Sequence, residues 1–343
     1  MKTFHRHALP PRSHRLSRRT LVGAAGAAAL SVLAALTGLP AAAAEPWPTR
    51  PVRIVVPFAP GGGGDFIVRT WVENFSAALG QPVVIENRGG GNTVTGSESV
   101  ARATPDGYTL LFTSTALSTN PSLVPNLKYR TPEDFVPISH VISYPFAMVA
   151  RTTLEANTVQ EVIALAKKSP GKFNISTSGD GSGAHLAAEL FKEATGTNFQ
   201  TIPYRGAGPA ISDVAAGHID LTFTGMSQVQ PLIDAKRVKV IASTGQYRLK
   251  SAPEAKTVAE QGVPGFNAVV WWGLLAPAGT PKEVVDKIHQ ALRTSLADPE
   301  VKKRLAVIDG EVRVSSPQEF ESFIRDEVVR WKRLIKPSTV APR

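Results

Sequence analysis

This chain contains a short apolar run followed by four consecutive glycines and then a helical pattern, an order that few local structures satisfy. Val52 to Phe58 is apolar and rich in β-branched residues, which is typical of a buried strand. Gly61 to Gly64 follow, and the apolar residues from Ile67 to Phe75 then recur at the spacing of one helix face. A helix that begins at an open glycine turn presents free backbone N–H groups and a partial positive charge. This segment therefore predicts an anion site.

The glycine run does not match the two commonest phosphate-binding motifs. A P-loop ends in Gly-Lys-Ser/Thr, whereas Gly64 is followed by Asp65 and Phe66. A dinucleotide fingerprint needs a third spaced glycine, which this run is too short to supply, although Glu86 lies about where its acidic residue is expected. A carboxylate-sized anion is the favoured ligand, and a purely structural turn is the alternative.

Residues 1–44 have the pattern of an export signal. A basic start without acidic residues precedes an apolar, Gly/Ala-rich stretch from Leu21 to Leu39, and small residues follow to Ala44. The adjacent pair Arg18 and Arg19 favours the twin-arginine route, with a Sec signal as the alternative. We expect cleavage near Ala44 and a soluble protein in the periplasm.

The composition of the remaining chain excludes several classes of function. Of the 38 Lys and Arg residues, six lie in the leader, which leaves 32 against 28 Asp and Glu and a charge near +4. No basic run remains, so nucleic acid is not an expected partner. The chain has no cysteine, which excludes disulfides, thiolate metal sites and cysteine nucleophiles.

Strand-like and helix-like segments alternate after the leader, which predicts an α/β fold with mainly parallel sheets flanked by helices. The predicted strands lie at 52–58, 83–86, 108–114, 146–150, 173–176, 199–204, 219–223, 238–242 and 269–275. A second glycine-rich turn, from Ser178 to Gly183, follows a strand as the first one does. Ligands of open α/β sheets lie at the carboxyl ends of strands, near helix starts. We therefore predict two lobes, 46–145 plus 268–343 and 146–267, with a ligand cleft between them.

Eight stretches of the sequence, in order, resemble one family. They include Pro57-Phe-Ala-Pro-Gly-Gly-Gly-Gly-Asp65, Asn120-Pro-Ser-Leu123 and Trp272-Gly-Leu-Leu-Ala-Pro-Ala-Gly-Thr-Pro281. The others lie at 84–88, 101–111, 179–191, 202–210 and 217–220. On these motifs the chain resembles the extracytoplasmic solute receptors of tripartite tricarboxylate transporters, the TctC or Bug family.

The resemblance implies a two-lobed, Venus-flytrap periplasmic binding protein that captures a small carboxylate. The ligand would be a di- or tricarboxylate, an acidic amino acid or a related organic acid, which the receptor delivers to its membrane permease. A sensor kinase is a further possible partner, and the family pattern implies a monomer with no cofactor and no catalytic role. The implied ligand-binding residues are Phe58, Ala59, Gly61, Gly62 and Asp65 in the first loop, Ser178, Gly179, Gly181 and Ser182 in the second, Ser114 and Thr115 as hydroxyl donors, and Tyr204, Arg205 and Gly206 at the far end.

One stretch departs from the family pattern. Where the family usually has Pro-Gly-Ala-Gly-Gly, this chain has Gly89-Gly-Gly-Asn-Thr93. Asn92 and Thr93 replace two glycines at a helix start and add an amide and a hydroxyl. This difference leaves open whether the family's usual ligand class applies to this chain.

Several polar residues have an ordinary structural explanation beside the functional one. Asp65, at the first turn of a helix, is expected to accept from backbone N–H groups, an amine or water rather than to bind a carboxylate directly. Arg205 suits either a bidentate carboxylate contact or an exposed position. His185 and Glu189 lie four residues apart on a helix but lack a third ligand at matching spacing, so helix packing or capping is favoured over a metal site.

The alternative function is an exported α/β hydrolase or isomerase that acts on a small organic acid in the same cleft. A nucleophile elbow requires G-x-S-x-G, and Ser182 in Gly179-Asp-Gly-Ser-Gly183 is displaced by one position from it. No motif pairs any of the four histidines after the leader with a nucleophile, so the sequence favours a binding protein.

Overall fold

The computed structural model describes residues 47–179, 181–204 and 206–335. The predicted signal peptide, with its cleavage site, and Arg205 lie outside the described residues. In chain order the elements are β1 (Val52–Val56), α1 (Gly63–Leu79), β2 (Val83–Asn87), α2 (Val94–Ala101), β3 (Thr109–Ser114), α3 (Ala116–Leu123), β4 (Phe135–Pro145), β5 (Ala147–Arg151), α4 (Val159–Lys168), β6 (Asn174–Thr177), α5 (Gly183–Thr195), β7 (Gln200–Pro203), α6 (Ala207–Ala216), β8 (Leu221–Thr224), α7 (Met226–Asp234), β9 (Val238–Ser243), β10 (Val269–Pro277), α8 (Lys282–Ala297), α9 (Pro299–Leu305), β11 (Glu311–Val312) and α10 (Pro317–Leu334).

Two sheets organise these elements. The first has six strands in the order β11-β4-β10-β3-β1-β2, and the second has five in the order β7-β6-β8-β5-β9. β4 ends at Pro145 in the first sheet and β5 begins at Ala147 in the second, so the chain passes directly from one sheet to the other. The lobe boundaries predicted from sequence stay a prediction.

The predicted α/β class is confirmed, but the sheets are mixed rather than mainly parallel. β1 is parallel to β2 and β3, and β6 is parallel to β7 and β8, as helical crossovers require. β4, β5, β10 and β11 pair antiparallel with their neighbours. These four strands are not joined to their sheet neighbours by a single crossover helix, so nothing imposes a parallel direction on them.

The opening strand, turn and helix form as the sequence predicts, and burial of one helix face holds them in place. In α1 the side chains of Ile67, Val68, Trp71 and Phe75 are each at most 1% exposed. Trp71 packs edge-on against Phe75, with ring centroids 5.4 Å apart. Burying a side chain of this size stabilises a fold by about 1.5–3 kcal/mol, so the apolar face fixes where the glycine turn ends.

Among the described residues, none of the helices is both long and apolar enough to cross a bilayer.

Candidate functional site

A cavity of about 450 Å³ lies between loops that extend from the two sheets. It is lined by Phe58, Ala59, Gly62, Gly63, Gly64, Asn92, Ser114, Thr115, Ala116, Tyr144, Phe146, Ser178, Gly181, Ser182, Gly183, Ala184, Ala207, Gln228, Val270 and Trp272. This volume is in the range of small-molecule sites, about 300–1,000 Å³.

Five helices present their first turn to the cavity. They are α1, α3, α5, α6 and α7, which contribute Gly63, Ala116, Gly183, Ala207 and Gln228. Of these helices only α5 has a side-chain cap, since the N-cap positions of the other four make no side-chain hydrogen bond. Each uncapped start leaves backbone N–H groups free and carries a partial positive charge. The arrangement is suited to an anion.

The described lining residues carry no formal charge. Their contribution to a positive potential therefore comes from backbone N–H groups and helix dipoles. These donors do not have to be reoriented when an anion enters, and they act more strongly where water is excluded.

The first loop is held by Asp65 from outside the cavity. Asp65 Oδ2 accepts from the Gly61 N–H at 2.9 Å and from Arg69 Nε at 2.9 Å. The Arg69 hydrogen bond lowers the pKa of the Asp65 carboxyl, although burial opposes this shift. Asp65 does not line the cavity. Its observed contacts match the N–H-accepting role that the sequence favoured.

The second loop is held by the first turn of α5. Ser182 Oγ accepts from the His185 N–H at 3.2 Å, and the Gly181 N–H donates to His185 Nδ1 at 2.9 Å. His185 Nε2 lies 3.6 Å from Glu189 Oε1, which also contacts Lys192 Nζ at 2.6 Å. Burial raises the pKa of Glu189, but the neighbouring His185 imidazole and Lys192 ammonium outweigh it and lower the pKa to about 2.

The His185–Glu189 pair thus orients the loop.

In the ranges that the structure covers, no three His, Cys, Asp or Glu side chains are grouped closely enough to hold a metal ion.

The second loop approaches the turn before α2 at Gly181 and Asn92. A Cβ placed on Gly181, whose φ is +73°, would lie 2.6 Å from Leu123 Cδ1 and 3.0 Å from Asn92 Nδ2. Asn92 Nδ2 donates to Asn120 Oδ1 at 2.9 Å, and Asn120 Nδ2 in turn lies 2.9 Å from the Asn92 carbonyl and 3.2 Å from Thr93 Oγ1. The two residues that depart from the family pattern are therefore bound into an amide network at the edge of the cavity.

An aromatic wall forms another side of the cavity. Trp272 is 4% exposed and stacks on Phe112, with ring centroids 5.5 Å apart and an interplanar angle of 21°. Phe58 lies against the same indole at 4.9 Å. Tyr144, whose pKa burial raises, and Phe146 extend the wall. Trp272 Nε1 is buried and has no hydrogen-bond partner among the described residues.

The structure places the residues predicted from sequence in two groups. Those that line the cavity are Phe58, Ala59, Gly62, Ser114, Thr115, Ser178, Gly181 and Ser182, while Gly61, Asp65, Gly179, Tyr204 and Gly206 do not. The Tyr204 hydroxyl donates to Asp213 Oδ2 at 2.5 Å, and this hydrogen bond raises the pKa of Tyr204 to about 12. Gly206 is the N-cap of α6. Whether any of these residues binds the ligand stays a prediction.

Sequence reasoning predicted Phe58 but missed the rest of the aromatic wall, Tyr144, Phe146 and Trp272, and also Gln228. Tyr144 and Phe146 lie where the chain passes between the sheets, and Trp272 lies on β10. The only signal for them was their place close to the lobe boundaries predicted at residues 145–146 and 267–268. Gln228 follows an uncapped helix start that the sequence did not mark.

Comparison with known proteins identifies the family. The model of the tripartite tricarboxylate transporter family receptor, TctC, matches residues 67–340. The chain belongs to this family. The TctC-family receptor is 32% identical over 312 residues to Protein BugT of Bordetella pertussis, covering 90% of this chain and 96% of BugT.

Solved structures agree with this assignment. Periplasmic binding protein BugD is 36% identical, with a TM-score of 0.72 over 87% of this receptor and 100% of BugD. A Rhodopseudomonas palustris protein solved with adipate is 31% identical, with a TM-score of 0.74 over 87% and 100% of the two chains. The periplasmic-binding-protein fold and the solute-binding role predicted from sequence are confirmed.

Proposed function

We propose that this receptor captures a small carboxylate in the periplasm and delivers it to the membrane permease of a tripartite tricarboxylate transporter. The observation that carries the proposal is the convergence of five helix starts, four without a side-chain cap, on one cavity. A carboxylate there accepts from several N–H groups at once. The adipate bound by the related R. palustris protein supports this ligand class.

Binding is coupled to the approach of the two loops. Gly62 to Gly64 and Ser178 to Gly183 come from different sheets, so a ligand that contacts both favours the arrangement in which they meet. Closure of lobes around a ligand is the motion that other periplasmic binding proteins use. We propose that the permease recognises this closed form.

The proposed role is non-enzymatic, as expected of a family of transport receptors. We further propose that the receptor works as a monomer and that the twin-arginine signal directs its export. The alternative partner that would recognise the closed form is a sensor kinase, and co-purification with the permease or with the kinase distinguishes the two.

A pair of matched ligands tests the proposed function. Isothermal titration calorimetry of the purified protein with adipate and with adipamide compares a dianion with a neutral molecule of similar shape. We expect the carboxylate to bind at least tenfold more tightly, and NMR of the mixture to show unchanged adipate after prolonged incubation. If no acid in a wider screen of mono-, di- and tricarboxylates binds, the proposal fails, and conversion of a bound acid would establish the enzyme instead.

A further inference from the structure

We infer that the acid taken by this receptor carries a flat apolar body, such as an aromatic ring, beside its carboxylate. The inference rests on the proposed function and narrows its ligand class. Helix starts account for one part of the cavity. The aromatic wall, formed by Phe58, Tyr144, Phe146 and Trp272 with Val270, requires a different partner on the ligand.

The wall is fixed before any ligand enters. Phe58 and Phe112 both pack against the Trp272 ring. The backbone of α1 also lies close to it, since a Cβ on Gly64 would be 2.6 Å from Trp272 Cη2. Phe146 Cζ likewise lies 2.7 Å from where a Cβ on Gly183 would be. Glycine in the first turns of α1 and α5 thus lets the helix backbone contact the aromatic rings directly. A ligand binding here does not have to order these side chains, which lowers the entropic cost of binding.

The wall lies directly beside the helix starts, so the two surfaces contact adjoining parts of a ligand. Gly64 and Gly183 belong to the same helix turns that supply free N–H groups, so a carboxylate bound at either turn has an aromatic surface directly beside it. The face of an aromatic ring is electronegative and cannot replace the water around a hydroxyl or a second carboxylate. A ring of the ligand, by contrast, packs there in the offset or edge-on geometry that aromatic pairs prefer.

A second, smaller cavity gives the body additional room. Its volume is about 90 Å³, and it shares Gly63, Tyr144, Phe146 and Gln228 with the main cavity. Its other lining residues include Phe66, Ile67 and Ile308, which are apolar. Gly225 and Ser227 complete the lining, so a body longer than a single ring has both apolar and polar groups to contact there.

Calorimetric titration of the wild-type protein tests the inference. The probes are benzoate and 3-phenylpropanoate, with malate and citrate as polar acids, and cyclohexanecarboxylate to separate a flat ring from an apolar body in general. We expect the better of the two ring-bearing acids to bind at least tenfold more tightly than malate or citrate, and benzoate more tightly than cyclohexanecarboxylate. If malate or citrate binds more tightly than both ring-bearing acids, the inference is overturned while the proposed function stands. If none of the acids binds, the proposed function itself is in question.

A matched pair of variants locates the effect at the wall. Phe58→Leu keeps an apolar side chain but removes the ring from the cavity, and Phe173→Leu makes the same change at a partly buried residue away from it. We expect Phe58→Leu to weaken 3-phenylpropanoate binding threefold to tenfold, and Phe173→Leu to leave it unchanged. Circular dichroism confirms that both variants are folded. Equal affinity of the two variants for this acid would refute a role for the wall.

Discussion

The contact between Gly64 and Trp272 allows a strong test, because one methyl group would disturb both the fold and the site. Gly64 is the second residue of α1, and a Cβ there would lie 2.6 Å from Trp272 Cη2, well inside van der Waals contact. Trp272 cannot move away freely because Phe58 and Phe112 lie against its ring. Overpacking of this kind costs about 1–3 kcal/mol, whereas replacing glycine by alanine in a helix stabilises it by up to about 1 kcal/mol.

The overpacking cost is therefore the larger of the two. We expect Gly64→Ala to lower the free energy of unfolding by roughly 1 kcal/mol, measured by urea denaturation. The affinity for the bound acid should fall as well, since a displaced indole enters the cavity. Gly208→Ala is the matched control, because Gly208 is the second residue of α6 and a Cβ there meets nothing within 4 Å. It should be neutral or stabilising.

A compensating substitution separates the steric clash from other effects. Trp272→Phe shortens the ring that meets the new methyl group, so the cost of Gly64→Ala should largely disappear in the Trp272→Phe background. The double-mutant cycle measures this coupling directly. If Gly64→Ala changes stability and affinity no more than Gly208→Ala does, then the close packing of α1 on the indole is not what shapes this wall.

Three further predictions concern the two loops. Gly62→Val should weaken acid binding at least tenfold in calorimetry, because the branched side chain covers the first turn of α1. The urea midpoint should fall only slightly, since φ −76° and ψ 174° suit any residue and the new Cβ is crowded by one atom, the Ala59 carbonyl oxygen at 3.2 Å. Normal affinity would mean that this loop is only a turn. Ser182→Ala should cost about 1 kcal/mol of unfolding free energy, since it removes the cap on the His185 N–H, whereas Ser182→Gly should cost only a few tenths; equal losses would argue against the cap. The Arg69 hydrogen bond lowers the pKa of Asp65 below its ordinary 3.8, so the ionised carboxylate stabilises the fold above pH 3.8 and this stabilisation is lost as the pH falls through the lowered value. Asp65→Asn should therefore flatten the decline in urea midpoint between pH 5 and pH 3. An unchanged decline would contradict this.

The first anion loop could be predicted because everything that forms it is local. The strand, the glycine turn and the helix face lie within Val52 to Leu79, and period and glycine content indicate each of them. The second loop, before α5, repeats the same order. Its side-chain contacts are also local, since His185 and Ser182 hold the turn within five residues.

β4 could not be predicted, because its stability depends on distant residues. Its span from Phe135 to Pro145 contains polar residues that interrupt any apolar pattern, yet Ser139 is fully buried and His140 is only 3% exposed. Ser139 Oγ donates to the Ser315 carbonyl at 2.9 Å, and the His140 N–H donates to Ser315 Oγ at 3.1 Å. Only the folded chain brings these groups together. No window of sequence therefore indicates that the buried polar groups of this strand have hydrogen-bond partners.

The fold class, the family and the two glycine loops of this receptor could all be predicted from the sequence, because local periodicity, turn residues and ordered motifs carry that information. The tertiary structure alone decided which sides of the loops face the cavity and what stands opposite them. Tyr144 and Trp272 are more than a hundred residues apart in sequence, and the antiparallel pairing of β4 with β10 brings them together. The anion-binding end of the site is thus a local property of helix starts, whereas its aromatic wall exists only because non-local strand pairing places those side chains on one surface.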